Sequence, residues 1–173
     1  MSSSRWIRFI LVAFGMILLQ VLVVDQIEIS RFLHPQIYFM VLLGLPVNMK
    51  HWNTYIIAFV LGISIDTFTN TPGLNAFVCT LMAFLRYAYL ANFTDKDWLS
   101  SNIQPSLYNA DTINYLVSLV VFALFFHMFY FLVEQLSFRR FDETLLKTLY
   151  STSLSILLIL LLQFTFSPRV KNE

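Results

Sequence analysis

Asp66 is the residue of this 173-residue chain whose type and setting most clearly suggest chemistry. It is the only acid in a run of uncharged residues from His51 to Leu85, and an ionisable group in such a run is expensive to bury. A polar elbow, Thr71-Pro72-Gly73, follows it. We expect one of three roles: accepting hydrogen bonds from the amides of Thr71 or Gly73, lying in the lipid headgroup region, or contacting the bundle interior or a partner chain.

The elbow has two structural interpretations. Thr71 caps a helix that carries Pro72 in its first turn, or Pro72 and Gly73 form the centre of a type II turn. Either one makes a tight helical hairpin. Gly62 lies one helical turn before Asp66, and its missing side chain lets another helix approach closely.

The other polar side chains do not form a catalytic set. Ser64 and His127 are a conceivable nucleophile and base, but no spacing supports the pair, and Asp66 points off the opposite side of the helix from Ser64. The sequence has no HExxH, no paired Cys and His at metal spacing and no Gly-rich phosphate loop. We predict a neutral His127 hydrogen-bonded between helices, with Gln20 and Gln163 also bridging helices. No catalytic residue, cofactor or metal is therefore expected.

The composition indicates an integral membrane protein with one domain, residues 1–173. The chain is 58% hydrophobic and 12% charged, whereas a soluble domain carries roughly 25% charged residues. A net charge of +1 without a basic run gives no indication of nucleic-acid binding. The single cysteine, Cys79, cannot form an intrachain disulfide. The N-terminal apolar run lacks a small-residue cleavage site, so we expect a retained helix rather than a signal peptide.

Apolar runs and their flanking signals predict an all-α protein with six transmembrane helices. The second run is barely long enough to span a bilayer, and Pro46 is expected to break or kink its end. Lys50-His51-Trp52 is an interface signature before the third helix. The predicted helices cover about 6–24, 35–48, 52–69, 72–91, 112–134 and 145–166.

The distribution of Lys and Arg predicts that both termini are cytoplasmic. With six spans, seven of these residues fall on the side of the termini and four on the other side. The elbow then lies on the outer face, where Arg139 or Arg140 is a candidate partner of Asp66. Arg86 lies roughly 13 Å deeper along the hairpin axis than Asp66, so no salt bridge is expected between them. We predict that Arg86 snorkels to the inner interface.

Three stretches resemble the MreD family of the bacterial rod-shape system. Two are LLQVLVVDQI in the first helix and PQIYFMVLLGLP in the second. The third and most specific is a G-x-x-x-D pattern followed by T-x-G-x-x-A. All three lie within roughly the first ninety residues, which carry the resemblance. In this chain the third pattern comprises Gly62, Asp66, Thr71, Pro72, Gly73, Leu74, Asn75 and Ala76.

The resemblance implies a non-enzymatic scaffold of the cell-elongation complex (elongasome) in the bacterial inner membrane. Such proteins bind the membrane helix of MreC and link MreB filaments to peptidoglycan synthesis by RodA and a penicillin-binding protein. It also implies a homodimer among membrane lipids and a fold similar to the S-component of energy-coupling-factor transporters. The alternative is an S-component-like protein that binds or transports a small molecule, with Asp66, His127 and Glu134 facing a cavity. A weaker third possibility is a lipid-linked wall precursor in that cavity.

Overall fold

The fold is all-helical, as the sequence predicts, over the residues that the computed structural model describes: 3–26, 33–93, 112–135 and 141–166. A π-helix, Gln20–Val24, continues the first α-helix. None of the described residues lies in a β-strand. The α-helices are α1 (Ser3–Leu19), α2 (Met40–Leu43), α3 (His51–Thr69), α4 (Leu74–Phe93), α5 (Thr112–Gln135) and α6 (Phe141–Phe166).

Three helical stretches are long and apolar enough to cross a membrane. They are Trp6–Val24, Ile113–Gln135 and Phe141–Thr165, and Leu74–Leu90 is a shorter apolar helix. Most of each long stretch is not covered by the rest of the protein. Large apolar surfaces of this kind are unfavourable in water and are solvated by lipid chains in a bilayer. The chain therefore has the character of a membrane protein, and the count of six spans stays a prediction.

The helices pack around a buried, mostly non-helical segment that we call the central segment, residues 33–48. α3 forms a hairpin with α4, α5 packs on α6, and α4 also contacts α5. The central segment passes among them, and most of its side chains are buried. Its Phe39 stacks on Phe126 of α5 with ring centroids 5.2 Å apart, and Tyr38 meets the same ring edge-on at 5.6 Å. Aromatic contacts thus fix the segment against α5.

The predicted second helix, 35–48, is wrong, because only Met40–Leu43 is helical there. Proline disfavours the α conformation in the residue before it, so Pro35 and Pro46 restrict the backbone near both ends. Non-helical backbone at membrane depth is tolerated where it is buried in protein and its polar groups are satisfied. Polar side chains of the surrounding helices meet that requirement here, as described below.

The other helix bounds differ from prediction mainly at their ends. α4 begins at Leu74 rather than at residue 72, since Pro72 and Gly73 form the turn before it. α6 begins at Phe141, four residues before the predicted start. Asp142 and Glu143 in its first turn favour this earlier start, because acids stabilise the positive end of a helix dipole.

Candidate functional site

The elbow is a turn stabilised by backbone geometry. α3 ends at Thr69, and Asn70 at its C-cap adopts the left-handed conformation with φ 55°. The Leu74 amide donates to the Thr71 carbonyl at 3.2 Å, and Gly73 between them has φ 84°. Proline followed by a residue with positive φ is the arrangement of a type II turn. Of the two interpretations of the elbow, the structure shows the turn.

Asp66 caps the helix that follows the elbow. Its Oδ1 accepts from the Asn75 amide at 2.9 Å and from the Thr71 hydroxyl at 2.9 Å, while Oδ2 accepts from the Ala76 amide at 3.0 Å. The Asn75 side-chain amide donates to Oδ1 as well, at 3.0 Å. First-turn amides have no partner within their own helix, and a carboxylate there also complements the helix dipole. Asp66 is only 7% exposed, so α3 supplies a buried cap for α4.

Capping was one of the predicted roles of Asp66, but the donors differ from those expected. The amides belong to Asn75 and Ala76, not to Thr71 and Gly73. The turn moves the start of α4 to Leu74, so its free amides lie further along the chain. Arg139 and Arg140, the predicted charge partners, lie outside the described residues.

Gly62 brings the main chains of α3 and α4 into direct contact. A Cβ placed at Gly62 would lie 2.4 Å from the Ala76 Cα and 2.5 Å from the Asn75 carbonyl oxygen. These are the two residues whose amides Asp66 caps. Gly62, Asp66, Thr71, Asn75 and Ala76 therefore form one structural unit, which we call the hairpin cap. Its Asn75 also accepts a hydrogen bond from a buried tyrosine of the central segment.

The first part of the central segment is held by side chains of α6 and of the π-helix. The His34 amide donates to the Ser151 hydroxyl at 3.0 Å. Gln20 accepts from the Ile37 amide at 2.9 Å and donates to the Pro35 carbonyl at 3.1 Å. The side-chain amide of Gln20 thus satisfies two backbone groups, the Pro35 carbonyl and the Ile37 amide, that would bond to other backbone groups in a helix. Gln20 bridges elements as predicted, although its partner is this segment.

His127 of α5 bonds to the same segment. Its Nδ1 lies 2.8 Å from the Ala123 carbonyl oxygen, so this nitrogen donates. Its Nε2 lies 3.1 Å from the Ser155 hydroxyl and 3.3 Å from the Gln36 amide, so it accepts. The Gln36 amide also donates to Ser155 at 2.9 Å. This is the pattern of a neutral imidazole hydrogen-bonded between elements, as predicted.

Arg86 of α4 holds the other end of the central segment. Its side chain is 5% exposed, and Nη2 donates to the Leu45 carbonyl at 2.6 Å and to the Pro46 carbonyl at 3.4 Å. The prediction of Arg86 as an exposed, snorkelling anchor is therefore wrong, because the side chain is buried within the protein. The Pro46 carbonyl also accepts from the Met49 amide at 3.3 Å, so the buried guanidinium matters most for the Leu45 carbonyl.

A row of polar residues on α6, most of them serine or threonine, faces the interior of the protein and was not predicted from the sequence. Ser155 is the hydroxyl beside His127, whereas Ser64 donates to the Val60 carbonyl of its own helix. Gln163 bonds to Tyr115 of α5, so its predicted bridging role is confirmed. Separations of three, four or eight residues, with Thr152 directly beside Ser151, place the row on one helix face. Its buried members are Thr144, Thr148, Ser151, Thr152, Ser155 and Gln163.

Two cavities open at different places in the bundle. The elbow-end cavity, about 720 Å³, is lined by residues that include Asp25, Gln36, Thr71 and Lys147. Partial burial raises the pKa of the Asp25 carboxyl, while its hydrogen bond from Gln20 lowers it. The Arg86 cavity, about 440 Å³, lies beside the start of α3. None of Asp66, His127 and Glu134, the residues expected to face a cavity, lines either one.

The fold and the site define a class: a helical membrane-type protein whose core holds a non-helical segment tied to polar side chains. No group of three or more His, Cys, Asp or Glu suited to a metal ion occurs among the described residues. No family model, no curated protein and no solved structure matches the chain.

Proposed function

We propose that this chain is a non-enzymatic scaffold of the bacterial cell-elongation complex, of the MreD type. In this role it binds the membrane helix of MreC and helps to link MreB filaments to peptidoglycan synthesis by RodA and a penicillin-binding protein. One observation supports it most directly. The residues that carry the resemblance, including Gly62, Asp66, Thr71 and Ala76, contact one another in the hairpin cap.

The proposed mechanism is helix packing. The hairpin cap gives α3 and α4 one fixed relation, because a carboxylate, a turn and a main-chain contact act at the same place. The opposite side of α3 presents large exposed apolar side chains at helical spacing, namely Ile56, Phe59, Val60 and Ile63. A partner's membrane helix would pack on such a face.

Capture of MreC tests the scaffold. The full chain and the MreC of the same bacterium are co-expressed, solubilised, and purified through a tag on MreC. We expect the two to co-elute from detergent and again after transfer to nanodiscs. As a matched pair, Phe59→Ala should reduce capture, while Phe164→Ala, an exposed residue near the end of α6, should not. A well-folded chain that never retains MreC would refute the scaffold.

We also propose six membrane crossings in the inner membrane, with both termini cytoplasmic. Five crossings are helical, and the central segment supplies the sixth. Its beginning is bound near the end of the first helical stretch, at Gln20, and its end near Arg86 on α4. Single cysteines at Ser2 and Asn172, in a chain with Cys79→Ala, should both be protected from an impermeant maleimide in intact spheroplasts. Labelling of only one of them would contradict an even number of crossings.

The second candidate function is small-molecule binding of the S-component type, and the elbow-end cavity favours it. The Oε1 atom of Gln36, on the cavity wall, is buried and has no hydrogen-bond partner among the described residues. An unpaired buried acceptor costs about 1–3 kcal/mol, which a ligand with a donor group would recover. Native mass spectrometry of the purified chain should then show a retained small molecule of fixed mass. Loss of that mass in Gln36→Leu, with MreC capture unchanged, would separate this function from the scaffold.

A further inference from the structure

The Arg86 cavity has an unusual balance of charge. Its lining includes Lys50, His51 and Arg86 and, among the described residues, no Asp or Glu. The hydroxyl of Tyr55 and the indole of a tryptophan add further hydrogen-bond donors. Its volume of about 440 Å³ lies within the usual range of ligand sites. The positive charge and the hydrogen-bond donors of this lining suit an anionic ligand.

Arg86 is the strongest element of this match. It is 5% exposed, and both of its hydrogen bonds run from a single nitrogen, Nη2, to neutral main-chain carbonyls. A guanidinium has five N–H donors, and residues of this type are rarely buried unless they are paired. The carbonyls satisfy donors but do not balance the charge. A buried cation on a cavity wall without an acid is a place for an anionic group.

The surroundings place the cavity where lipid headgroups lie. Trp52, at the start of α3, is 77% exposed, and Lys50 beside it is exposed as well. The rings of His51 and Tyr87 lie with centroids 3.9 Å apart next to them. A cation beside exposed aromatic rings is typical of the membrane–water interface.

We propose that the Arg86 cavity binds a phosphate-bearing anionic group, with Arg86 and Lys50 as its charge partners, and that the source of this group is the headgroup of a membrane lipid. Basic sites between helices near the membrane surface bind anionic headgroups in this way. The lining of this cavity shares no residue with the apolar face of α3 proposed to bind MreC, so the scaffold function and this site can fail separately.

Lipid binding to the delipidated full chain tests the site. Phosphatidylglycerol and phosphatidylcholine of matched acyl chains are titrated in detergent and the bound fractions are read by native mass spectrometry. We expect a clear preference for phosphatidylglycerol. Lys50→Gln should weaken its binding about fivefold, the usual contribution of one basic residue at a lipid surface. This variant keeps Arg86 and its bonds to the central segment, so folding is preserved.

The matched control is Lys147→Gln, which removes a cation from the wall of the elbow-end cavity instead. It should leave phosphatidylglycerol binding unchanged. Equal binding of the two lipids, or equal losses in the two variants, would overturn the site. Competition by inorganic phosphate distinguishes the source of the group. Displacement of the lipid only at concentrations far above that of the lipid supports a headgroup, whereas displacement at comparable concentrations identifies a free phosphate ligand.

Discussion

Asp66 and Arg86 are buried charges near opposite ends of the α3–α4 hairpin, and both bond to main chain. Asp66 accepts from amides nine and ten residues away, within its own hairpin. Arg86 donates to carbonyls 41 and 40 residues away, in the central segment. The carboxylate closes a local turn, while the guanidinium ties together parts of the fold that are distant in sequence.

The two charges also differ in how completely they are satisfied. Four hydrogen bonds converge on the Asp66 carboxylate, so both of its oxygens are occupied. Arg86 uses one of its nitrogens and faces a cavity without an acid among the described residues. A buried charge in this protein therefore need not mark a binding site. The cap is complete within the chain, and the cavity at Arg86 is open to a ligand.

The largest effect is expected from Asp66→Ala. The change leaves the Asn75 and Ala76 amides at the start of α4 without their acceptor and removes one of the two acceptors of the Asn75 side chain, and we expect a loss of about 4 kcal/mol in the free energy of unfolding. Thermal unfolding in detergent measures it. The control is Glu134→Ala, which removes an exposed acid at the end of α5 and should cost no more than about 0.5 kcal/mol. Equal losses in both would show that the cap contributes little.

Gly62→Ala should have the next largest effect. The added Cβ meets main-chain atoms that cannot rotate away, so α3 and α4 must separate, at a cost of about 3 kcal/mol. Gly15→Ala is the control, since nothing lies within 4 Å of a Cβ at that exposed position of α1. It should stabilise the helix by about 0.5–1 kcal/mol. The unfolding temperatures of the two variants are compared. A small decrease in Gly62→Ala would mean that the hairpin tolerates a wider spacing between α3 and α4.

Arg86→Leu should cost about 2 kcal/mol, because the Leu45 carbonyl loses its donor and the Pro46 carbonyl keeps only the Met49 amide, while apolar packing is retained. Arg8→Leu, an exposed position on α1, should change stability by no more than about 0.5 kcal/mol. Hydrogen exchange followed by mass spectrometry should show faster exchange in the peptide that contains the end of the central segment. Unchanged exchange in that peptide would mean that Arg86 does not stabilise the central segment. The contrast with Asp66 would then be weaker.

The smallest effect is expected from Thr71→Val, which keeps the side-chain shape but removes the hydroxyl that bonds to Asp66, to the Asn75 side chain and to the Thr69 hydroxyl. We expect a loss of about 1.5 kcal/mol, because the Asn75 amide and the Asp66 carboxylate keep their bond to each other. The neighbouring Thr67→Val is the control, because its hydroxyl bonds only to the Ile63 carbonyl of its own helix. If the two variants melted alike, the Thr71 hydroxyl would have no special part in the cap.

Local features of this fold could be predicted from the sequence, and long-range ones could not. The elbow and the capping role of Asp66 depend on residues at most ten positions apart, so turn chemistry and helix geometry suffice. The central segment depends on partners such as Ser155, 119 residues from Gln36. Nothing in the apolar run 35–48 shows that other helices will supply donors and acceptors for its backbone. The sequence shows the helical spacing of the serine and threonine row on α6. It does not show that the row faces the backbone of the central segment.

The bonding of the central segment also constrains the order in which the protein can be completed. The amides of His34 and Gln36 find their hydroxyl partners on α6, the last described helix. At about 10 residues per second, roughly ten seconds of translation separate the two regions. Until α6 has been made, this backbone cannot enter the hydrocarbon layer with its polar groups satisfied. In the proposed topology of six crossings, the central segment is therefore the last crossing to be completed, after α6 has reached the membrane.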